Sequence, residues 1–81
     1  MTEINQYNEE GQEHGYWEEY WDRDNLFSKG NYDNGKRIGY WEFYWANGNL
    51  WHRGNYENDI EIGYWEYYSI NGKLKEQMFY S

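Results

Sequence analysis

Paired carboxylates are the first groups in this chain that could do chemistry, because two acids held together can act as general acid and general base. Glu9-Glu10 and Glu18-Glu19 are such pairs. Neighbouring residues of a β-strand point to opposite faces, so Glu18 and Glu19 cannot converge on one substrate if they lie in a strand. Their chemistry is therefore interpreted as that of surface charges and ion pairs.

Nucleophilic and metal chemistry lack the residues that they need. The chain has no cysteine, which excludes thiolate catalysis, disulfides and the common zinc sites. Its serines have no orienting base nearby in the sequence, and His14 and His52 are interpreted as surface or packing residues. Asp22-x-Asp24 begins like a calcium loop, but apolar residues follow where ligands and a turn glycine are required. We predict no catalytic residue, no cofactor and no metal.

Aromatic side chains must supply the core of any fold that this sequence adopts. The 81 residues include 6 Trp, 11 Tyr and 3 Phe, with no Val and a formal net charge of −8. Few aliphatic residues and a high charge are by themselves typical of a disordered chain. Aromatics bury a large area per residue and favour strands. We therefore predict one small folded domain with an aromatic core.

The negative charge is concentrated in the N-terminal third. Residues 1–24 carry eight acids and a single base, and the rest of the chain is nearly neutral. This distribution disfavours direct binding to nucleic acid or to an anionic membrane, and it suits a basic protein partner. The chain has neither an apolar run that could span a bilayer nor a secretory signal, so a cytoplasmic location is expected. The eight acids are Glu3, Glu9, Glu10, Glu13, Glu18, Glu19, Asp22 and Asp24.

An internal repeat of 24 residues organises the chain. The motif Gly-Tyr-Trp-Glu begins at Gly15, Gly39 and Gly63, and a fixed period of this kind indicates stacked structural repeats. Asn-Gly dipeptides between the aromatic runs predict β-hairpins. The fold class is therefore all-β, a single antiparallel meander of about seven strands, which must curl or dimerise to bury one face. A partial repeat spans 1–14 and full or nearly full repeats span 15–38, 39–62 and 63–81. The expected strands lie near 2–8, 15–21, 26–32, 39–45, 50–56, 63–69 and 73–80.

The pairing register follows from a four-residue loop at 46–49. That loop brings aromatic residues opposite each other, acids opposite bases and indoles opposite glycines, all of which favour pairing. The expected pairs are Trp45–Leu50, Tyr44–Trp51, Glu42–Arg53 and Trp41–Gly54, and in the first hairpin Trp21–Leu26, Tyr20–Phe27, Glu18–Lys29 and Trp17–Gly30. Glu18 and Glu42 are thus expected to form ion pairs with Lys29 and Arg53.

Alternation along the strands predicts two different faces. One, the Trp face, is expected to be the core and to include Trp17, Trp21, Trp41, Trp45, Trp65, Leu26, Leu50, Leu74, Gly30 and Gly54. The other, the Tyr face, is expected to be amphipathic and partly hydrated. It carries Tyr16, Tyr20, Tyr40, Tyr44, Tyr64 and Tyr68, interleaved with Glu18, Glu42, Glu66, Lys29 and Arg53.

The recurring pattern Gly-x-Trp-x-x-Tyr, followed by Asn-Gly-x-Leu and Gly-x-Tyr, resembles MORN-type repeats. It is most similar to the bacterial variant repeats of the YwqK-like antitoxin family, over about residues 11 to 80. The resemblance implies a sheet built from one hairpin per repeat and a role as a binding scaffold or as an antitoxin or immunity partner. This chain departs from the group in its shortness, its acidic first turn and its acidic N-terminal third, and it lacks a basic surface for lipid.

These observations predict a non-enzymatic binding protein that inhibits or neutralises a basic protein, one that acts on nucleic acid, such as a toxin or a nuclease. The expected contacts are the eight acids together with Tyr16, Tyr20, Tyr40 and Tyr44, whose rings would anchor the partner. Two alternatives stay open: a scaffold that forms a homodimer through its terminal strands, and a glycan-binding protein that uses the aromatic ladder.

Overall fold

A computed structural model describes residues 4–81, and it forms one antiparallel sheet in which every strand lies beside its neighbours in sequence. No helix within residues 4–81 is long and apolar enough to cross a membrane. The predicted all-β meander of seven strands is confirmed. The strands are β1 (Gln6–Tyr7), β2 (Glu13–Asp22), β3 (Asn25–Asp33), β4 (Lys36–Tyr44), β5 (Leu50–Glu57), β6 (Ile60–Tyr68) and β7 (Leu74–Tyr80).

From β3 onward, two kinds of turn alternate along the meander. Asn34-Gly35 joins β3 to β4 and Asn58-Asp59 joins β5 to β6, and all four residues have positive φ, as two-residue hairpin turns require. The β4–β5 loop closes when the Gly48 amide donates to the Trp45 carbonyl at 2.9 Å. These are the positions at which the sequence places Asn, Asp and Gly, because such residues tolerate left-handed backbone.

The predicted register holds through the middle of each hairpin. Glu18 pairs with Lys29 across β2 and β3, and Glu42 pairs with Arg53 across β4 and β5. Toward the loops the prediction is wrong, because a β-bulge shifts the ladder by one residue after Glu19 and after Phe43. The observed partner of Tyr20 is Leu26, and that of Tyr44 is Leu50.

The bulge also corrects the predicted composition of the two faces. Directly paired residues of a ladder share a face, so Leu26, Leu50 and Leu74 lie with the tyrosines Tyr20, Tyr44 and Tyr68, not with the tryptophans. The predicted pairs Trp21–Leu26, Tyr20–Phe27, Trp45–Leu50 and Tyr44–Trp51 are therefore replaced. Phe27, one of the residues left over by the bulge, packs edge-to-face on Trp21 with ring centroids 4.8 Å apart.

An indole lying on a glycine is the central contact of the core. The ladder between β3 and β4 is interrupted at Gly30, because Lys29 pairs with Glu42 and Asn31 pairs with Ile38. Trp41 folds over the gap, and a Cβ added at Gly30 would overlap its ring. The same arrangement places Trp65 on Gly54.

This geometry corrects the expected shielding of glycine by tryptophan. Trp17 and Trp41 do pair with Gly30 and Gly54 along the ladders. Each glycine is covered, however, by the indole of the following repeat, so that Trp41 lies on Gly30 and Trp65 on Gly54. The contact therefore joins successive repeats, whereas a cross-hairpin contact would have stabilised a single repeat.

The core is an aromatic cluster around these two indoles, and it lies on the predicted Trp face. Trp41 is 1% exposed and Trp65 is 0% exposed, and Phe43 and Tyr56 are buried beside them. His52 completes the cluster, because its ring is stacked on Phe43 with centroids 4.3 Å apart. Of the two roles expected for His52, surface or packing, the structure shows packing, opposite Phe43.

We expect Gly54→Ala to destabilise the protein by about 3 kcal/mol, the upper end of the usual cost of overpacking. Gly54 has no positive φ, so alanine suits its backbone and the loss comes from the collision with the Trp65 ring. The measurement is urea unfolding followed by tryptophan fluorescence. Asn55→Ala, at the exposed neighbouring position, is the control and should change the free energy by less than about 0.5 kcal/mol. An equal, small effect of both variants would show that the indole does not lie on Gly54.

We also expect the stability of the protein to fall as the pH is lowered, because of His52. Burial, with a smaller contribution from the Arg37 charge, lowers the pKa of His52 to about 4. His52 therefore binds a proton near pH 6.5 in the unfolded chain but stays neutral in the folded chain until about pH 4. The free energy of unfolding consequently decreases as the pH falls from about 6.5 toward 4. The carboxylates with lowered pKa values, such as Glu66, add to this loss of stability only below about pH 4.5.

Urea unfolding at pH 7 and pH 5 measures this loss. His52→Phe, which keeps a stacked ring and removes the titrating group, should abolish most of the difference in unfolding free energy between the two pH values. His14→Asn, at an exposed position, should retain it. A His52→Phe variant with the full pH dependence of the wild type would contradict the assignment.

Candidate functional site

Three identical side-chain clusters lie in a row on the Tyr face. In each one, a central glutamate accepts hydrogen bonds from the tyrosine hydroxyls two residues before and two residues after it. The three side chains converge because residues i and i+2 of a strand point to the same side. We call the clusters box 1 (Tyr16, Glu18, Tyr20), box 2 (Tyr40, Glu42, Tyr44) and box 3 (Tyr64, Glu66, Tyr68).

The hydrogen bonds in the boxes measure 2.6 to 2.9 Å. Tyr20 donates to Glu18 at 2.7 Å, and Tyr44 donates to Glu42 at 2.6 Å. Hydrogen bonds to a charged acceptor are stronger than neutral ones, so each carboxylate is held in a fixed orientation. The tyrosines are thereby fixed as well, with one edge of each ring engaged and much of the ring left accessible, as for Tyr20 (50% exposed) and Tyr40 (48% exposed).

A line of alternating charge crosses the sheet through the boxes. Successive ladder partners are Glu18, Lys29, Glu42, Arg53, Glu66 and Gln77. The expected ion pairs within a hairpin, Glu18–Lys29 and Glu42–Arg53, are replaced by pairs to the following repeat. Lys29 Nζ lies 3.4 Å from Glu42 Oε1, and Arg53 Nη2 lies 2.7 Å from Glu66 Oε1. In both ion pairs the cation contacts the glutamate of the following strand, not that of the preceding strand.

The boxes shift the ionisation of their members. Burial opposes the charge on Glu42, yet the hydrogen bonds from Tyr44 and Tyr40 and the Lys29 ammonium together keep the pKa of that carboxyl below its usual value. Burial and the adjacent Glu42 carboxylate raise the pKa of Tyr40 to about 12. Burial and Glu18 do the same for the pKa of Tyr16, to about 12. At neutral pH box 2 therefore holds a carboxylate between two protonated phenols.

Shallow clefts separate the boxes and repeat with the same period of 24 residues. One is lined by Tyr16, Tyr40, Lys29, Gly30, Asn31 and Glu42. The next is lined by the equivalent residues Tyr40, Tyr64, Arg53, Gly54, Asn55 and Glu66. Each cleft floor is a glycine that carries an indole on the opposite side of the sheet. The Tyr face therefore presents a periodic surface of rings, carboxylates and cations.

The predicted acidic contacts are spread along β2 and its two turns. Glu3 lies outside the described residues. Glu9 and Glu10 lie in the turn before β2, and Glu13 is its first residue. Since β2 has ten residues, its ends are about 30 Å apart, and Asp22 and Asp24 lie at the far end.

The remaining acids separate further by face. Glu18 belongs to box 1 on the Tyr face, whereas Glu19 accepts a hydrogen bond at 3.0 Å from Ser28, a fully buried residue of the Trp face. Asp22 has a local role, because its carboxylate accepts from the Asp24 amide at 3.1 Å and thereby shapes the turn. The structure thus brings Tyr16, Glu18 and Tyr20 together, and it distributes the other described acids along β2 and its two turns.

Sequence reasoning missed the boxes themselves. The signal was present as Tyr-x-Glu-x-Tyr in every repeat, at Tyr16-x-Glu18, Tyr40-x-Glu42 and Tyr64-x-Glu66. Tyrosine and glutamate were recognised as residues of one face, but their spacing of two was not connected to a shared hydrogen-bonded cluster.

Other chemistry finds little support within residues 4–81. No group of three or more His, Cys, Asp or Glu side chains in that range could hold a metal ion. Ser28 is fully buried and donates to Glu19, so its hydroxyl is inaccessible to a substrate. The Tyr face thus combines half-exposed rings, such as those of Tyr20 and Tyr40, with charged side chains.

Comparison with models of known protein families, with curated proteins and with solved structures finds no match to this chain.

Proposed function

We propose that the protein is a non-enzymatic binding module that associates with a basic protein and inhibits it. The observation that carries the proposal is the placement of the uncompensated charge. Lys29 and Arg53 are engaged by Glu42 and Glu66, so the middle of the Tyr face is close to neutral. The excess negative charge lies at the N-terminal edge, on β2 and its two turns.

An elongated acidic edge suits a cationic groove. Carboxylates about 30 Å apart along β2 can steer a basic partner over a long range and compete with phosphate for it. The half-exposed rings of Tyr20 and Tyr40 beside that edge are of the type that anchors protein interfaces after desolvation. The partner class is therefore a basic protein whose ordinary ligand is nucleic acid, such as a toxin or a nuclease. The similarity to MORN-type antitoxin repeats favours the same class.

The experiment is capture of binding proteins from host lysate, with affinity then measured on the purified partner. We expect a basic nucleic-acid-acting protein whose affinity falls at least tenfold in about 0.5 M salt, where charges are screened over about 4 Å. The double variant Glu9→Lys/Glu10→Lys and the single variant Asp24→Lys test the two ends of β2, and each should weaken binding. Glu57→Lys/Glu61→Lys makes the same change of charge away from the acidic edge and should have little effect.

Two results would overturn the proposal. One is a partner whose affinity is unchanged by salt and by charge reversal at both ends of β2. The other is that the protein binds a nucleic acid or a glycan, captures no protein, and loses that ligand in the Tyr40→Ala variant.

A self-associating scaffold is a second candidate, and the exposure of β7 favours it. In the described part of the chain β7 pairs only with β6, and the Phe79 side chain is 81% exposed. An unpaired edge with exposed apolar side chains is a template for another strand. Sedimentation equilibrium of the same purified protein separates the candidates: a dimer that Phe79→Lys dissociates, together with no captured partner, would favour the scaffold.

A further inference from the structure

We propose that box 1 binds an arginine or lysine side chain of the partner protein. The inference rests on the proposed function and identifies the contact at its centre. Box 1 consists of the Glu18 carboxylate between the hydroxyls of Tyr16 and Tyr20. A cationic side chain from outside would take the position that the chain's own cations take in the other boxes.

Boxes 2 and 3 show which ligand this cluster accepts. In box 2 the Lys29 ammonium lies 3.4 Å from Glu42 and 5.9 Å from the centroid of the Tyr44 ring. In box 3 the Arg53 guanidinium lies 2.7 Å from Glu66 and its central carbon 5.9 Å from the centroid of the Tyr68 ring. The same cluster of side chains thus binds a cation twice within this molecule, once as an ammonium and once as a guanidinium.

Box 1 has the same cluster without the cation. The residue 24 positions before Lys29 is Asn5, a neutral amide. Its side chain is occupied by the backbone of Glu18, accepting from the Glu18 amide at 2.8 Å and donating to the Glu18 carbonyl at 3.0 Å. Lys29, the ladder partner on the other side, is paired with Glu42. Within residues 4–81, no cation lies within 4.0 Å of the Glu18 carboxylate.

The Glu18 carboxylate still has acceptor capacity for such a ligand. Each of its oxygens accepts one tyrosine hydrogen bond, and a carboxylate can accept about four hydrogen bonds in total. The adjacent Tyr20 ring is half exposed and offers a face on which a guanidinium can stack. The box also lies on β2, between the two acidic turns, where a basic partner is expected to dock.

The test is a titration of the full chain with N-acetyl-arginine amide, followed by NMR of carbon-13-labelled tyrosine rings. We expect the signals of Tyr16 and Tyr20 to shift saturably, while those of boxes 2 and 3 stay in place. N-acetyl-citrulline amide, the uncharged analogue, should produce no such shift. Shifts of equal size in all three boxes, or with both compounds, would overturn the proposal.

Two variants of one strand provide the matched comparison. Glu18→Gln removes the charge and keeps an oxygen that can accept from tyrosine, and the arginine affinity should fall at least tenfold. Glu19→Gln makes the same change of charge at the next residue, on the opposite face. The arginine affinity should stay within about twofold, because this change alters only a long-range attraction that salt screens. Equal losses in both variants would mean that general acidity, and not box 1, attracts the cation.

Lys29→Gln gives an independent test that needs no change in box 1. Removing the internal cation empties box 2, so the Tyr40 and Tyr44 signals should now respond to N-acetyl-arginine amide as those of box 1 do. No response in box 2 would contradict the view that these clusters are cation sites.

The failure of this inference can be distinguished from failure of the proposed function. If Glu18→Gln leaves the affinity for a captured basic partner unchanged while charge reversal in the turns weakens it, box 1 is not the contact and the function stands. If box 1 binds the arginine probe but no basic protein is captured, the site stands and the function fails.

Discussion

The contact between an indole and a glycine is the constraint on which the rest of this structure depends. A chain of 81 residues that forms one sheet has few ways to bury a core, and here Trp41 and Trp65 each cover the glycine of the preceding repeat. Trp65 can approach the backbone at Gly54 because that residue has no side chain. Its indole Nε1 then donates to the Asn55 carbonyl at 3.1 Å and the Ile62 carbonyl at 3.2 Å, which belong to the ladder pair next to the interruption. Packing and polar satisfaction are thus achieved by one side chain.

The Tyr face follows from this constraint. Once the indoles fix the register, alternation directs the neighbouring tyrosines and glutamates to the other side of the sheet, where they form the boxes. Each internal cation is bound by the glutamate of the next repeat, as Arg53 is by Glu66. The two ends of this row of charged ladder partners therefore differ. The first glutamate, Glu18, is left without an internal cation among the described residues, and the last position is occupied by Gln77, which is uncharged.

Much of the fold could be predicted from the sequence, because the repeat reports the same register more than once. The pairs Glu18–Lys29 and Trp17–Gly30 are confirmed. The bulges were not predictable, because a ladder without the one-residue shift gives an equally plausible pair. It places Tyr20 opposite the aromatic ring of Phe27. The direction of the ion pairs was not predictable either, because Lys29 has a glutamate on both neighbouring strands. The separation of the acids reflects the length of β2, which exceeds the expected span at both ends.

The most direct measurement is hydrogen exchange of the indole N–H groups, followed by nitrogen-15 NMR. If Trp41 and Trp65 hold successive repeats together, their indole protons should exchange only when the whole chain unfolds, because both rings are fully buried and hydrogen-bonded to carbonyl groups. The exposed Trp21, whose indole also donates to a carbonyl, should exchange much faster and serves as the internal reference. Protection of Trp41 and Trp65 that matches the global unfolding free energy is the expected result. Exchange of either at the rate of Trp21 would contradict the central role of the indole–glycine contacts.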